Sequence, residues 1–435
     1  TIQWAGKKLT VKADASGRWT ATLPSRGAGG PHALEVQAGK SKLKLSDVWV
    51  GDVWLCAGQS NMEWPLKYSD GADEEVRNVD APLIRAGTPL RFPQDFGAHS
   101  AYRTEWWYLT GQLQPQAPPP TPTQKQPASP ASPAPPPSYG FQITFFRTRV
   151  DAARTSHSAF ATHQLVFAHA ALTDLQQGKL LHDQRIARAG FELADATLGD
   201  THVTLRGWQL QRSGPATQSR YTSHVAARDF TLDLACTQTQ PVLLQGEAGF
   251  SRKGPKPINA SHYYSQPHLA VQGQLQHQGR TLAVQGQAWL DHEWGETLLD
   301  PAAVGWDWVG MNLHDGSALT AFRLRRRDGS TLWAGGSLRR PGQATRTFQP
   351  DEVRFTPQRI WASPATAARY PVQWQIDVAG TRYQVRARLE QQELDSRQST
   401  GGVYWEGLSE LLDAQGRVIG LGYLEMTGYV SPMSL

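Results

Sequence analysis

The chain has 435 residues, of which 39% are hydrophobic and 19% charged, with 16 tryptophans and a formal net charge of +5. That length is too great for one typical core and implies two or three domains. No apolar run is long enough for a helical membrane span, and the mild, scattered basic charge gives no reason to expect a nucleic-acid partner. The basic run Arg325-Arg326-Arg327 ends in Asp328-Gly329 and reads as a solvated hairpin turn. Cys56 and Cys236 are far apart, have no metal-ligand spacing and do not decide the redox compartment. The first residue is Thr1 and no signal peptide is visible, so a processed chain or a fragment is expected.

Residues 1–88 read as short strands: Ile2 to Trp4, Leu9 to Ala13, Trp19 to Leu23, Ala33 to Ala38 and Lys42 to Leu45. Turn signals such as Ser16-Gly17 separate them, and together they predict a partial β-sandwich-like segment. A buried-type strand, Asp47 to Cys56, then runs into Ala57-Gly58-Gln59-Ser60-Asn61-Met62-Glu63-Trp64. That strand and turn resemble the first block of the sialate O-acetylesterases, SGNH-type hydrolases. Gly17-Arg18-Trp19 and Ala28-Gly29-Gly30-Pro31 fit the same block. The resemblance makes Ser60 the nucleophile, but a serine needs a base and oxyanion donors. The family supplies these in later blocks ending in Asp-x-x-His, which have no match here, so Ser60 is expected to be inactive.

Seven of the eleven lysines lie before residue 88, while later basic charge is nearly all arginine, which puts a boundary at Ala86 to Leu90. The next strand, Tyr102 to Gly111, resumes at Tyr139 to Arg147 after residues 115–137, which hold eleven prolines among Ala, Ser, Thr and Gln. That stretch reads as a disordered hairpin loop. Short strands then follow to the C-terminus with almost no helical periodicity, which predicts an all-β fold of two antiparallel barrels side by side. The expected division is 89–275 for the first barrel and 276–435 for the second.

The strand Thr281 to Trp294 ends in Leu290-Asp291-His292-Glu293-Trp294-Gly295. Successive side chains on a strand alternate faces, so Asp291 and Glu293 share one side and His292 and Trp294 the other. Carboxyls are costly to bury unless they are paired or protonated, and these lie close in sequence to Trp289 and to Trp306-Asp307-Trp308. Acids among indoles imply a site. Tyr404-Trp405-Glu406-Gly407 repeats the pattern and makes Glu406 a second candidate acid. Trp107 is expected to pack in a core, and His169, in an apolar strand, to be a hydrogen-bonded histidine or a base. Glu393, Asp395 and Arg397 share a strand face, where an ion pair is the default. No metal site and no cofactor are expected, because His292 and Glu293 point to opposite faces and no His-x-His spacing occurs.

From about Leu90 onward the chain resembles the AttH and carotenoid 1,2-hydratase (hydroxyneurosporene synthase) family. The pieces are Phe92-Pro93 to His99, Thr104-Glu105-Trp106-Trp107-Tyr108, Phe167-Ala168-His169-Ala170, Ser251 to Pro255, Ser261-His262-Tyr263-Tyr264-Ser265, Leu290 to Gly295, Gly305 to Trp308, Glu393 to Arg397, Tyr404 to Gly407, and Gly422-Tyr423-Leu424-Glu425. The resemblance implies two lipocalin-like barrels, often exported, in proteins that handle long apolar molecules. Some members hydrate an isolated alkene of an acyclic carotenoid, and fungal relatives shape polyene cyclisations. A periplasmic or secreted location follows from the resemblance alone.

Hydration of an unactivated alkene needs a proton delivered to carbon, and a carboxyl kept protonated in an apolar pocket supplies it. Asp291 and Glu293, then Glu406, are the candidate acids. Trp106, Tyr108, His169, Tyr263, Tyr264, Trp289, Trp294, Trp306, Trp308, Tyr404 and Trp405 are the candidate ligand walls, whose aromatic faces stabilise a cation. The leading expectation is a protein that binds a long apolar ligand and hydrates it. The alternatives are a non-catalytic carrier working with an ABC transport system and a carbohydrate O-acetylesterase based on Ser60.

Overall fold

The computed structural model describes residues 1–4, 6–14, 18–24, 29–39, 41–50, 88–116, 138–151, 158, 160–296 and 299–433. Ser60, the end of the strand expected to reach Cys56, and nearly all of the proline-rich loop 115–137 lie outside the described residues. The chain forms two compact units, Thr1–Ala72 with Ala152–Ala161, and Asp73–Asp151 with Thr162–Leu435.

Among the described residues, the first unit contains one antiparallel sheet in the order Lys7–Leu9, Ile2–Trp4, Gly29–Ala38, Ser41–Val50. Alternation puts Ile2 and Trp4 inward and Gln3 outward, and the Trp4 indole N–H donates to the Pro24 carbonyl at 3.2 Å. The expected strands Leu9 to Ala13 and Trp19 to Leu23 do not form: residues 10–13 and 19–23 carry no strand pairing, and Trp19 is 49% exposed.

The second unit is built from two large antiparallel sheets, and among the described residues its helical structure is limited to short 3-10 turns such as Gln94–Phe96 and Pro350–Glu352. The first sheet runs Lys179–Arg188, Gln164–Asp174, Tyr139–Arg149, Thr104–Pro115, Arg280–Gly295, Ala260–His277, Phe230–Thr237, Arg220–Ala226, Trp208–Ser213, His202–Leu205, Ala194–Ala196 and curls into a nearly closed barrel. The second runs Arg346–Phe348, Thr331–Arg339, Ala318–Arg325, Gly305–Leu313, Val418–Met426, Gly402–Leu412, Thr381–Ala387, Gln373–Val378, Val353–Pro357. The fold is therefore all-β, as the turn spacing and alternation predict. The sheet boundary falls after Gly295 rather than after residue 275, because Arg280–Gly295 pairs along its length with Ala260–His277 and Thr104–Pro115. Two strands, Lys179–Arg188 and Arg220–Ala226, escape the apolar-alternation reading because polar residues (His182, Asp183, Gln184 and Arg185 in one; Thr222, Ser223 and His224 in the other) interrupt their apolar positions.

Each sheet sends alternate residues to two different cores. Trp107, Leu109, Phe141, Ile143, Phe145, Trp208 and Leu290 fill the first barrel, and Val309, Met311, Trp374, Trp405 and Leu424 fill the space enclosed by the second sheet. The other faces meet in a third cluster that includes Tyr108, Trp289, Trp308, Phe322, Leu408 and Tyr423. Burying one such aromatic stabilises by about 1.5–3 kcal/mol, enough in sum to carry a few costly polar groups in the same layer. Polar clamps fix the layer. The Gln245 side chain donates to the Ser265 hydroxyl at 2.8 Å and the Thr320 hydroxyl at 3.0 Å. At the bulge between Gln266 and Leu269, His268 (φ 54°) donates its backbone N–H to Asn312 Oδ1 at 2.9 Å.

Candidate functional site between the two sheets

The cross-strand register sets the site. Ser265, Asp291, Tyr108, Thr144 and His169 are direct neighbours across five strands of the first sheet. The adjacent row is Tyr263, Glu293, Trp106, Phe146 and Phe167. The facing row of the second sheet is Phe322, Trp308, Glu425 and Glu406. Four carboxyls from three strands, Asp291, Glu293, Glu406 and Glu425, thus lie in one aromatic layer.

Asp291 is 3% exposed. Its Oδ1 accepts from the Ser265 hydroxyl at 2.5 Å and the Trp289 indole N–H at 2.7 Å, and its Oδ2 accepts from the Tyr263 hydroxyl at 2.9 Å. All three donors are neutral. Burial dominates, the three hydrogen bonds oppose it, Glu293 adds to it, and the carboxyl is pushed up to about 7. The Trp308 indole donates to the Tyr263 hydroxyl at 3.2 Å and meets the Tyr108 ring edge to face at 5.5 Å. Asp291 is therefore walled by Trp289, Trp308, Tyr263 and Tyr108.

Glu293 is neutralised differently. Lys253 lies 2.9 Å from it, with its ammonium 4.6 Å from the Tyr263 ring centre and 4.4 Å from that of Phe322. The Ser261 hydroxyl also donates to Glu293. Burial and then the neighbouring Glu425 push the Glu406 carboxyl well up. Glu425, partly covered, is pushed up to about 7 by burial, against the Trp306 side chain and with Asp291 and Glu293 adding to the rise. The Tyr108 phenol interacts with the Glu406 carboxyl, but Glu406 Oε1 and the Tyr108 hydroxyl, both buried, have no partner in good hydrogen-bond geometry among the described residues.

His169 is neutral, pushed down to about 3 by burial. Its ring nitrogens contact the Tyr404 hydroxyl and Ser399 Oγ, each at 2.8 Å, so it joins the two sheets. Trp106, Phe146, Phe167, Trp306 and Tyr404 are half-buried and form the aromatic rim; Phe146 and Phe167 stack at 4.8 Å.

Three expected wall residues lie elsewhere, for one reason: each is next in sequence to a site residue and so points the opposite way. Trp294 enters the first barrel and stacks on His99 at 3.7 Å. Tyr264 enters the same core and bonds His292 Nδ1 at 2.9 Å. Trp405 enters the second core, where its indole donates to the Glu390 carbonyl at 2.7 Å. Trp107 packs in the first core at 0% exposure, and Asp395 pairs with Arg397 while Glu393 bonds Ser363 and Thr366. Glu425, Tyr423, Lys253, Ser261, Ser265, Phe146 and Phe167 were missed; Tyr423 and Glu425 carry the same two-residue spacing as Asp291 and Glu293, which is a usable signal.

Inside the first barrel, His99, Glu105 and His292 bring three ligand-capable atoms within 4.8 Å of one another, a cluster that local spacing does not reveal. His99 Nδ1 and His292 Nε2 each lie 2.8 Å from Glu105 Oε1, and Arg147 Nε lies 2.8 Å from Oε2. The guanidinium already supplies the positive charge that a metal would bring.

Known proteins fit this arrangement at several levels. A putative AttH from Nitrosomonas europaea is 48% identical, with a TM-score of 0.70, over 80% of this chain and 100% of that one. Kievitone hydratase from Nectria haematococca has the same fold, with a TM-score of 0.55 at 15% identity over 81% of this chain and 94% of that one. The kievitone hydratase of Fusarium solani subsp. phaseoli is 22% identical over 234 residues, 53% of this chain and 65% of that protein. Human sialate O-acetylesterase is 32% identical over 107 residues, 23% of this chain; the chain spans 20% of that protein's length. The AttH-like family profile matches residues 131–429, more than half of the chain. The chain belongs to the AttH-like family.

Proposed function

We propose that the layer between the two sheets binds a long apolar molecule and that Asp291 adds a proton to an isolated carbon–carbon double bond in it, so that water is added across the bond. The observation that carries this reading is a buried carboxyl bonded, among the described residues, only to neutral donors and walled by four aromatic rings. A carboxyl held up to about 7 keeps its proton near neutrality, where an exposed aspartate has lost it. Protonation of a trisubstituted alkene gives a tertiary cation, which Trp289, Trp308 and Tyr108 face with their rings and the nearby carboxylates stabilise by charge. The relative with 22% identity is by name a hydratase, which supports the same class of reaction here.

The test uses lycopene, an acyclic polyene with trisubstituted terminal alkenes, in detergent micelles, with the gain of one water read by mass spectrometry. Wild-type protein is expected to form the alcohol, and Asp291→Asn to lower the rate at least about a hundredfold. A wild-type protein that binds the polyene without converting it would make the layer a carrier site instead.

A further inference from the structure

Protonation is only half of a hydration; the water must also be held and must lose a proton. Glu406, Glu425 and the Tyr108 hydroxyl have no part in the delivery of the proton. Glu406 and Glu425 are directly opposite each other on paired strands. In the first sheet, Tyr108 is directly opposite Asp291 on the neighbouring strand, and its phenol is pushed up by burial and then by Glu406 and Glu425. The group therefore reaches from the acid to the glutamate pair.

Two atoms in it face each other without a well-formed hydrogen bond. Glu406 Oε1 and the Tyr108 hydroxyl are buried, at 3% and 6% residue exposure; the phenol interacts with the Glu406 carboxyl, yet neither atom has a partner in good hydrogen-bond geometry among the described residues. Each such group costs about 1–3 kcal/mol when left unsatisfied, so two together point to a ligand that donates to one and accepts from the other. Water does both. Two neighbouring carboxyls also share one proton more readily than they lose both, which leaves the pair able to take one more.

Resting on the hydratase reading above, we propose that Glu406 and Tyr108 hold the water that captures the cation, and that the Glu406–Glu425 pair accepts the proton this water releases. Glu406 is then a catalytic residue and Glu425 a positioning residue. The steps balance. The Asp291 O–H bond breaks and the alkene electron pair forms a C–H bond, leaving a carboxylate and a tertiary cation. A water lone pair then forms the C–O bond, one water O–H breaks, and its proton goes to the glutamate pair. The net change is one water added and one proton moved from Asp291 to the pair. Tyr108, opposite Asp291 and beside Glu406, is placed to return it.

Running the lycopene reaction in D2O separates the two halves, because a cation that is not captured reverts by losing a proton and leaves deuterium in the recovered polyene. Glu406→Gln and Tyr108→Phe are expected to cut alcohol formation about a hundredfold while deuterium exchange continues. Asp291→Asn is expected to lose both. Glu425→Gln should move the pH profile of alcohol formation without stopping exchange. The proposal is overturned if Glu406→Gln forms alcohol at the wild-type rate, or if it loses alcohol and exchange in parallel with an unchanged melting curve. Should Glu406→Gln fail to fold, Tyr108→Phe, which keeps the ring, decides by the same two readouts. Wild-type protein giving neither alcohol nor exchange would instead sink the hydratase reading and the water site with it.

Discussion

Glu105 and Asp291 are buried carboxyls on adjacent paired strands, on opposite faces of the same sheet, and they meet opposite fates. Burial penalises the charge of both. For Glu105, hydrogen bonds from His292 and His99 overcome that penalty, and the carboxyl is held well below its usual range, with Arg147 2.8 Å from its other oxygen. His292 itself is pushed down to about 4 by burial, so near neutrality it acts as an N–H donor, while His99 is pushed up by its two carboxylate partners against the effect of burial. Asp291 has three donors as well, but no cation among them, and it is pushed up to about 7. Burial alone does not make an acid; burial without a cation does. The two sites also divide the work of one sheet, since the Glu105 network ties together, on the inner face, the strands that carry Tyr108, Phe146 and Asp291 on the outer face.

The strongest way to break this contrast is to remove the guanidinium from the inner site. Arg147→Met leaves Glu105 buried without its guanidinium, and unfolding in urea is expected to show a loss of about 3–5 kcal/mol. Next in size is Asp291→Asn, which keeps the shape of the outer site. Turnover is expected to fall at least about a hundredfold, some 2.7 kcal/mol of transition-state stabilisation, while the melting temperature at pH 6 changes little.

The third test is pH. A carboxyl whose folded pKa lies above its unfolded value binds more protons when folded, so its contribution to stability is complete below the unfolded pKa and is lost as pH rises through the folded one. For Asp291 the window runs from its ordinary value of 3.8 up to about 7. Each unit of the rise is worth about 1.4 kcal/mol. Urea unfolding of wild type should show stability falling across that window, with a shallower fall in Asp291→Asn. Glu105, whose pKa is lowered, has the opposite sign: its contribution is present above its unfolded pKa and is lost only as pH falls toward strongly acid values.

Much of the outer site is legible in the sequence because a strand has a period of two. Asp291 with Glu293, and His292 with Trp294, separate onto two faces by alternation alone, and the structure keeps that separation. The same rule, applied consistently, would have removed Trp294, Tyr264 and Trp405 from the walls, since each adjoins a residue assigned to the other face. What alternation cannot supply is register. Nothing local says that Asp291 pairs with Tyr108, or that Glu406 faces Glu425, because those contacts join positions far apart in the chain. The inner cluster of His99, Glu105, Arg147 and His292 is hidden for the same reason, since three members look like isolated polar residues in apolar strands and His99 lies in the loop before Thr104–Pro115. The tight hairpin at His277–Arg280 lies within the first sheet, and nothing local in the sequence tells it from a turn between two sheets. Similarity to known family pieces carries the fold across these gaps, but it carries no pairing of side chains.

The smallest expected effect is also the most discriminating. Tyr263 donates to Asp291 Oδ2 at 2.9 Å, and a donor to the ionised form lowers a carboxyl pKa. Its removal in Tyr263→Phe should therefore raise the pKa of Asp291 further. A hydrogen bond to a charged group is worth about 1.5–3 kcal/mol, so the alkaline limb of the turnover profile should move up by roughly one to two pH units. The Trp308 indole loses its acceptor in the same variant, which should lower stability by about 1 kcal/mol without changing the sign of the pH shift. A limb that moves up identifies Asp291 as the group whose protonated form is needed. One that stays in place assigns the titration to another carboxyl, with Glu425 next, since it too is held up to about 7. A limb that moves down would show that Asp291 works as an anion, and the contrast between the inner and outer carboxyls would lose its functional meaning.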